Sequence, residues 1–174
     1  MPSGVGLPEV TVRKSVGMLV QAGFVLRAAS RFFSTPCFPA GSGPGYVNTV
    51  VVVQTQNHPE GVIKTLHDIE ATFGRERIER WGKRSLDLDL LACNDQIIPD
   101  VKTLQYWLNL PLVDQMRTVP DRVILPHPRI QDRAFVLVPM ADVVRDWVHP
   151  VLGRTVSEML AALDPAECAQ IMPI

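Results

Sequence analysis

The stretch Arg80–Cys93, RWGKRSLDLDLLAC, sets aspartates at 87 and 89 among leucines at 86, 88, 90 and 91. A period of two is the pattern of a β-strand, whose successive side chains point to opposite faces. Read so, Leu86, Leu88 and Leu90 share one face and Asp87 and Asp89 the other. The aspartate Cα atoms then lie about 6.5–7 Å apart, at about 3.3 Å rise per residue. A strand that only filled a core would not carry two carboxylates. Two at this separation can converge on hard cations, including a pair of Mg²⁺ ions about 3.5–4 Å apart. Leucine–aspartate alternation is equally the pattern of a half-exposed strand, and the stretch alone leaves both readings open.

Outward from this strand the chain alternates helical and extended patterns. Pro8 and Glu9 open a helix with apolar residues at Val12, Val16, Leu19 and Val20, and Gly23 is its expected stop. FVLRAASRFF reads as a strand, and STPCFPAGSGPGY is loop because proline and glycine crowd it. VNTVVVVQT is the strongest strand pattern, and its β-branched run predicts a central place in the sheet. A second helix begins near Pro59, with Val62, Leu66, Ile69 and Phe73 on one face and Gly74 closing it. RERIERWGKR breaks periodicity and reads as loop; residues 97–123 read as an irregular insertion with one or two short helices, its Trp107 and Leu110 used for packing. RAFVLVPMADV fits strand or helix. TVSEMLAAL closes as a helix, since Thr155 and Glu158 have capping-box spacing. A split βαβ sheet begins with a strand ahead of its first helix. MPSGVGL is too short and too rich in glycine and proline to supply one.

The 174 residues suit one domain with its own core, and a formal charge of −1 provides no global basic field for nucleic acid. Anion binding must come from local clusters. Arg75, Arg77, Arg80 and Arg84 form one within ten residues. Guanidinium forks match phosphate oxygens, so a metal-bound polyphosphate would unite them with the aspartates; a solvated loop paired to Glu76 and Glu79 is the plainer account. Trp81 in the same loop is either a core anchor or a stacking plate for a flat ligand. LPHPR presents His127 between two prolines, with Arg129 and Arg133 following. His58, His67 and His149 have no such company, and a histidine metal site is not expected. Cys37, Cys93 and Cys168 are scattered and odd in number, which argues against a disulfide framework and fits a reducing cytoplasm. The apolar stretch near the start is too short to span a bilayer. A transit peptide is weighed there and set below folded elements.

RWGKRSLDLDLL followed by LPHPRIQDRAFVLVP resembles the signature of the 6-hydroxymethyl-7,8-dihydropterin pyrophosphokinase family, and STPCFPAGSGPGYVN resembles its substrate loop and following strand. The likeness runs from about Arg31 to Leu163. It implies a ferredoxin-like α+β sandwich and transfer of pyrophosphate from ATP to the pterin hydroxymethyl group, with release of AMP, in folate biosynthesis. By position, Asp87 and Asp89 match ligands of two Mg²⁺ ions. Arg75 and Arg77 match mobile-loop arginines, and Arg84 the arginine gripping the phosphates. Glu70, Arg80, His127 and Arg133 match the ATP site. Thr35, Pro36, Phe38, Tyr46 and Asn48 match the pterin pocket, with Trp81 and Phe135 nearby. A flat pterin suits sandwiching by Tyr46 and Phe135, and Asn48 offers its edge both a donor and an acceptor.

The resemblance also has gaps. The family's opening strand, ending in Gly-Ser-Asn or Gly-Ala-Asn, has no counterpart, and MPSGVGLPEVTV is similar to the loop after it. The expectation is a βαββαβ core lacking its first strand, a start codon placed too far downstream being the favoured account. Lys83 stands where many members have proline. Expected partners are ATP and the pterin alone, with neither nucleic acid nor membrane, for a cytoplasmic monomer. A truncated, inactive nucleotide-binding relative is the alternative, and an RNA- or nucleotide-binding ferredoxin-like module the competitor from another class.

Overall fold

Pro8 and Pro59 each open a helix of 14 residues, α1 (Pro8–Gln21) and α2 (Pro59–Thr72), where the missing proline N–H costs nothing. Gly23 and Gly74 follow them at φ of 90° and 78°, the left-handed conformation that glycine adopts cheaply. The computed structural model describes residues 7–36, 45–74 and 85–174. Phe38, Arg75, Arg77, Arg80, Trp81 and Arg84 lie outside the described residues.

The two long strand patterns each divide. β1 (Val25–Ala29) and the start of β2 (Phe33–Thr35) lie in the first, and most of β3 (Tyr46–Asn48) and β4 (Val51–Gln54) in the second; Ser34, Thr35 and Tyr46, expected as loop, are strand residues because β2 and β3 pair. At the break Ser30 N–H donates to Val50 C=O at 2.9 Å, while the Ser30 hydroxyl accepts from Val50 N–H at 3.0 Å and lies 3.0 Å from the Thr49 hydroxyl, so side chains join the backbone in turning the corner. β1 then pairs antiparallel with β4, while β2 pairs antiparallel with β3 and with β5 (Met172–Pro173). The architecture is α+β with antiparallel pairing. VNTVVVVQT was expected at the centre of a sheet; β4 instead has a ladder partner on one edge only, among the described residues, and Val51, Val52 and Val53 are half-buried.

Leu86–Cys93, expected as a strand, forms no regular strand because no backbone ladder lies beside it among the described residues. Its alternation survives: Leu86 is buried, Leu88 and Leu90 half-buried, Asp87 and Asp89 exposed. Leu86 joins Leu19, Phe24, Val62, Leu66 and Ile69 in the core beneath α1 and α2, with Val51 and Val53 against it. A second core lies under α5 (Ala134–Val143) and α6 (Val156–Ala161), built on Leu137, Met140, Val156 and Met159, and takes Val50 and Leu91. Neighbouring residues of extended chain, Val50 and Val51 as well as Leu90 and Leu91, thus feed opposite cores.

Residues 97–123 contain two helices, α3 (Val101–Asn109), capped by the Asp100 carboxylate on Thr103 N–H at 2.9 Å, and α4 (Leu112–Arg117). Leu104, Trp107 and Ile124 form their packing centre, with Leu110 against it. RAFVLVPMADV resolves to helix, and Thr155 and Glu158 make the expected capping box at α6. α7 (Pro165–Cys168) is a single turn before β5.

Candidate active site

Three ties position the aspartates. The Ser85 hydroxyl donates to Phe73 C=O at 2.6 Å, Leu88 N–H donates to Glu70 Oε1 at 2.8 Å, and His127 N–H donates to Leu91 C=O at 2.7 Å. The segment is thereby fixed to α2 on one side and to the proline-stiffened 125–128 run on the other. Glu70, expected along the nucleotide site, is 1% exposed and has one oxygen committed to the backbone between Asp87 and Asp89. Buried there, it shapes the segment that bears the carboxylates.

Beyond Asp89 lies a cavity of about 420 Å³, within the usual range for small-molecule sites. Asp89, His127, Arg129, Arg133, Arg122 and His67 line it, so cations outnumber the one carboxylate. Arg133 Nη1 stands 3.9 Å from Asp89 Oδ2. Burial pulls the Arg133 pKa below its ordinary value, with Asp89 acting the other way, and the guanidinium stays charged. The Arg129 guanidinium is held 2.7 Å from the Asp132 carboxylate. His127 Nδ1 accepts from Arg129 N–H at 3.1 Å, which assigns the ring proton to Nε2. Burial lowers the His127 pKa, opposed by Asp89 and reinforced by Arg133, so the ring is neutral at pH 7.

On the other side of Asp89 opens a cleft whose walls include Asn48, Asp87 and Phe135. The β2–β3 hairpin brings the loop residues there: Thr35 pairs with Tyr46, and Asn48 Nδ2 donates to Thr35 Oγ1 at 2.7 Å. Thr35 is buried, whereas Tyr46 and Phe135 are exposed at 49% and 37%, leaving their rings available to a ligand. Arg133, which lines the cavity, lies 5.6 Å from the ring centre of Phe135, which lines the cleft. Pro36 follows at the end of β2. Asp89 lines both spaces, the first with His127 and Arg133 and the second with Asn48, Asp87 and Phe135, whereas Thr35, Pro36, Tyr46 and Glu70 line neither. Among the described residues no third histidine, cysteine or acid joins the pair to make a protein-only metal cage.

Two lining residues escaped the sequence. Arg122 belongs to a segment with no periodicity, and His67 stands alone on α2; only the approach of 118–125 to α2 brings them to one cavity. Trp107 lines the cavity as well as packing beneath it. No helix among the described residues is long and apolar enough to cross a membrane.

A family model described as 7,8-dihydro-6-hydroxymethylpterin-pyrophosphokinase matches residues 2–145. Proteins named 2-amino-4-hydroxy-6-hydroxymethyldihydropteridine pyrophosphokinase are similar to this chain. That of Pseudomonas aeruginosa is 37% identical over 142 residues, covering 82% of this chain and 74% of the relative. That of Methylorubrum extorquens is 34% identical over 139 residues, covering 80% and 74%. The Synechocystis relative is 31% identical over 153 residues, covering 88% of this chain but 66% of its own length.

Proposed function

We propose that this chain, which belongs to the 7,8-dihydro-6-hydroxymethylpterin-pyrophosphokinase family, transfers pyrophosphate from ATP to 6-hydroxymethyl-7,8-dihydropterin and releases AMP, a step of folate biosynthesis. The observation that carries the reading is Asp89, set between a cavity lined by cations and a cleft bearing Asn48 and Phe135. The triphosphate takes the first, where Arg129, Arg133 and the neutral His127 meet its oxygens by bidentate and single hydrogen bonds. The pterin takes the second, stacked on Tyr46 and Phe135 with its edge on Asn48 and the Thr35–Asn48 pair.

Asp87 and Asp89 fit Mg²⁺. This ion keeps several waters and uses one or two carboxylates plus substrate phosphates, so a pair of exposed carboxylates without a third protein ligand suits it. Two such ions, bound with the nucleotide, would neutralise charge on the pyrophosphoryl group being moved. The pterin hydroxymethyl oxygen attacks the β-phosphorus and gives its proton to solvent, while the bond from that phosphorus to the bridging α,β-oxygen breaks and AMP leaves with that oxygen. Positioning and charge complementarity carry the rate in such transfers, and no general base is assigned. In this proposal Arg75, Arg77, Arg80 and Arg84 bring further cations to the nucleotide, and Trp81 and Phe38 belong to the pterin pocket. The core is proposed to be ferredoxin-like, in a monomeric, cytoplasmic enzyme.

The test is AMP formation from ATP, Mg²⁺ and the reduced pterin alcohol by the chain and its Asp87→Asn and Asp89→Asn variants. Each should lose about 10²-fold or more in kcat, as charge-stabilising groups do, with an unaltered far-UV spectrum. Full activity in both variants would end the proposal. Arg84→Ala should lower kcat far more than it weakens nucleotide binding.

A further inference from the structure

Residues 97–123 leave the chain after the aspartate segment and return just ahead of the proline-stiffened 125–128 run, and the two ends of this excursion are pinned together. Ile98 N–H donates to Leu125 C=O at 2.9 Å, and Leu125 N–H donates back to Ile98 C=O at 3.0 Å. The bridge sets the excursion beside His127, whose N–H holds Leu91 C=O at 2.7 Å. Leu104 and Trp107, three apart and so on one face of α3, pack with Ile124. Leu104 is wholly enclosed there, whereas Trp107 also lines the cavity that holds Asp89. Thr118, Pro120, Arg122 and Val123, on the return limb, line the same cavity. The inserted segment therefore builds one wall of the space assigned above to nucleotide.

That space is divided in its chemistry. Asp89, His127, Arg129 and Arg133 give it charge and hydrogen-bonding groups, which suit a polyphosphate. Ile63, Trp107, Val123 and Ile124 give it apolar surface. A hydrated anion gains nothing against such surface, whereas a flat aromatic base sheds water there. The two kinds of lining match the two ends of one molecule, a charged tail and a base.

We propose that Trp107 is a base-contact residue: its indole forms the apolar wall against which the nucleotide's base packs, and the inserted helix α3 is thereby part of the nucleotide site. The inference rests on a nucleotide occupying this cavity and adds to it a residue that the charged motifs do not contain. It also adds ligand contact to the packing expected of Trp107 from the sequence. Affinity for the base and affinity for the phosphates then reside in different side chains and are separable by mutation.

Trp107→Leu keeps an apolar side chain in the α3 core and removes the ring, while Trp107→Phe keeps a smaller ring. Calorimetry in the presence of Mg²⁺ compares ATP with inorganic triphosphate, which carries the charged tail and no base. The parent should bind ATP more tightly than triphosphate. Trp107→Leu should lose about tenfold in ATP affinity, in the range of one base–aromatic contact, and leave triphosphate affinity unchanged. Trp107→Phe should fall between the two on ATP and match the parent on triphosphate; it decides the matter alone if the leucine variant melts below the assay temperature. A role confined to packing lowers Tm and leaves the ratio of ATP to triphosphate affinity where it was. An unchanged ratio in the folded variants would overturn the proposal, as would equal binding of the two ligands by the parent. Either result leaves pyrophosphate transfer standing, because AMP formation by the parent tests that reaction separately.

Discussion

Glu70→Ala tests whether this buried side chain organises the segment proposed to hold Mg²⁺. Glu70 is 1% exposed and its Oε1 accepts from Leu88 N–H at 2.8 Å. A hydrogen bond to a charged acceptor contributes about 1.5–3 kcal/mol net, and Leu88 N–H would be left facing an apolar space in the alanine variant. We expect a loss of about 2–3 kcal/mol, which for a domain of this size lowers Tm by about 4–12 °C. Glu70→Gln keeps the shape and a neutral acceptor, whose bond contributes about 1 kcal/mol, so it should fall between parent and alanine. Because Leu88 separates Asp87 from Asp89, both variants should also weaken Mn²⁺ binding in the presence of nucleotide, alanine more than glutamine. Thermal melts and a manganese titration measure the two effects. The reasoning fails if Glu70→Ala melts with the parent, or if stability drops while metal affinity stays the same.

Three further outcomes follow from other parts of the molecule. His149 is fully buried, and burial holds its pKa below the ordinary value near 6.5. As pH falls past about 6.5 the unfolded chain takes up this proton first, so stability should decline from there down to the folded pKa. His149→Asn should flatten that decline, read from urea midpoints between pH 7.5 and 5.5. At Gly45 an added Cβ would lie 2.8 Å from the Thr35 carbonyl oxygen. Gly45→Ala should therefore open the β2–β3 hairpin, cost about 1–3 kcal/mol as overpacking does, and weaken pterin binding by calorimetry. Thr155→Ala removes the capping-box acceptor of Glu158 N–H and should cost about 0.5–2 kcal/mol in chemical denaturation without altering kcat.

Legibility followed the range of each physical signal. Pro8, Pro59, Gly23 and Gly74 bound their helices by constraints that act within one turn, and the Thr155–Glu158 cap closes within three residues. These elements were readable, as was the alternation that exposes Asp87 and Asp89. RAFVLVPMADV was ambiguous because α5 is apolar on nearly every side, and only its packing between two cores makes it helical. The burial of Glu70 was not legible, because it depends on Leu88, 18 residues away.

The amino-acid order alone determined the local elements, the family motifs and the chemistry available to the site, because caps, turns and side-chain types are properties of neighbouring residues. Tertiary structure decided where the strands break, whether Leu86–Cys93 has a ladder, and that His67 and Arg122 meet Asp89 in one cavity. Those outcomes depend on backbone edges and side chains brought together from distant parts of the chain, and local pattern carries no record of which edge finds a partner.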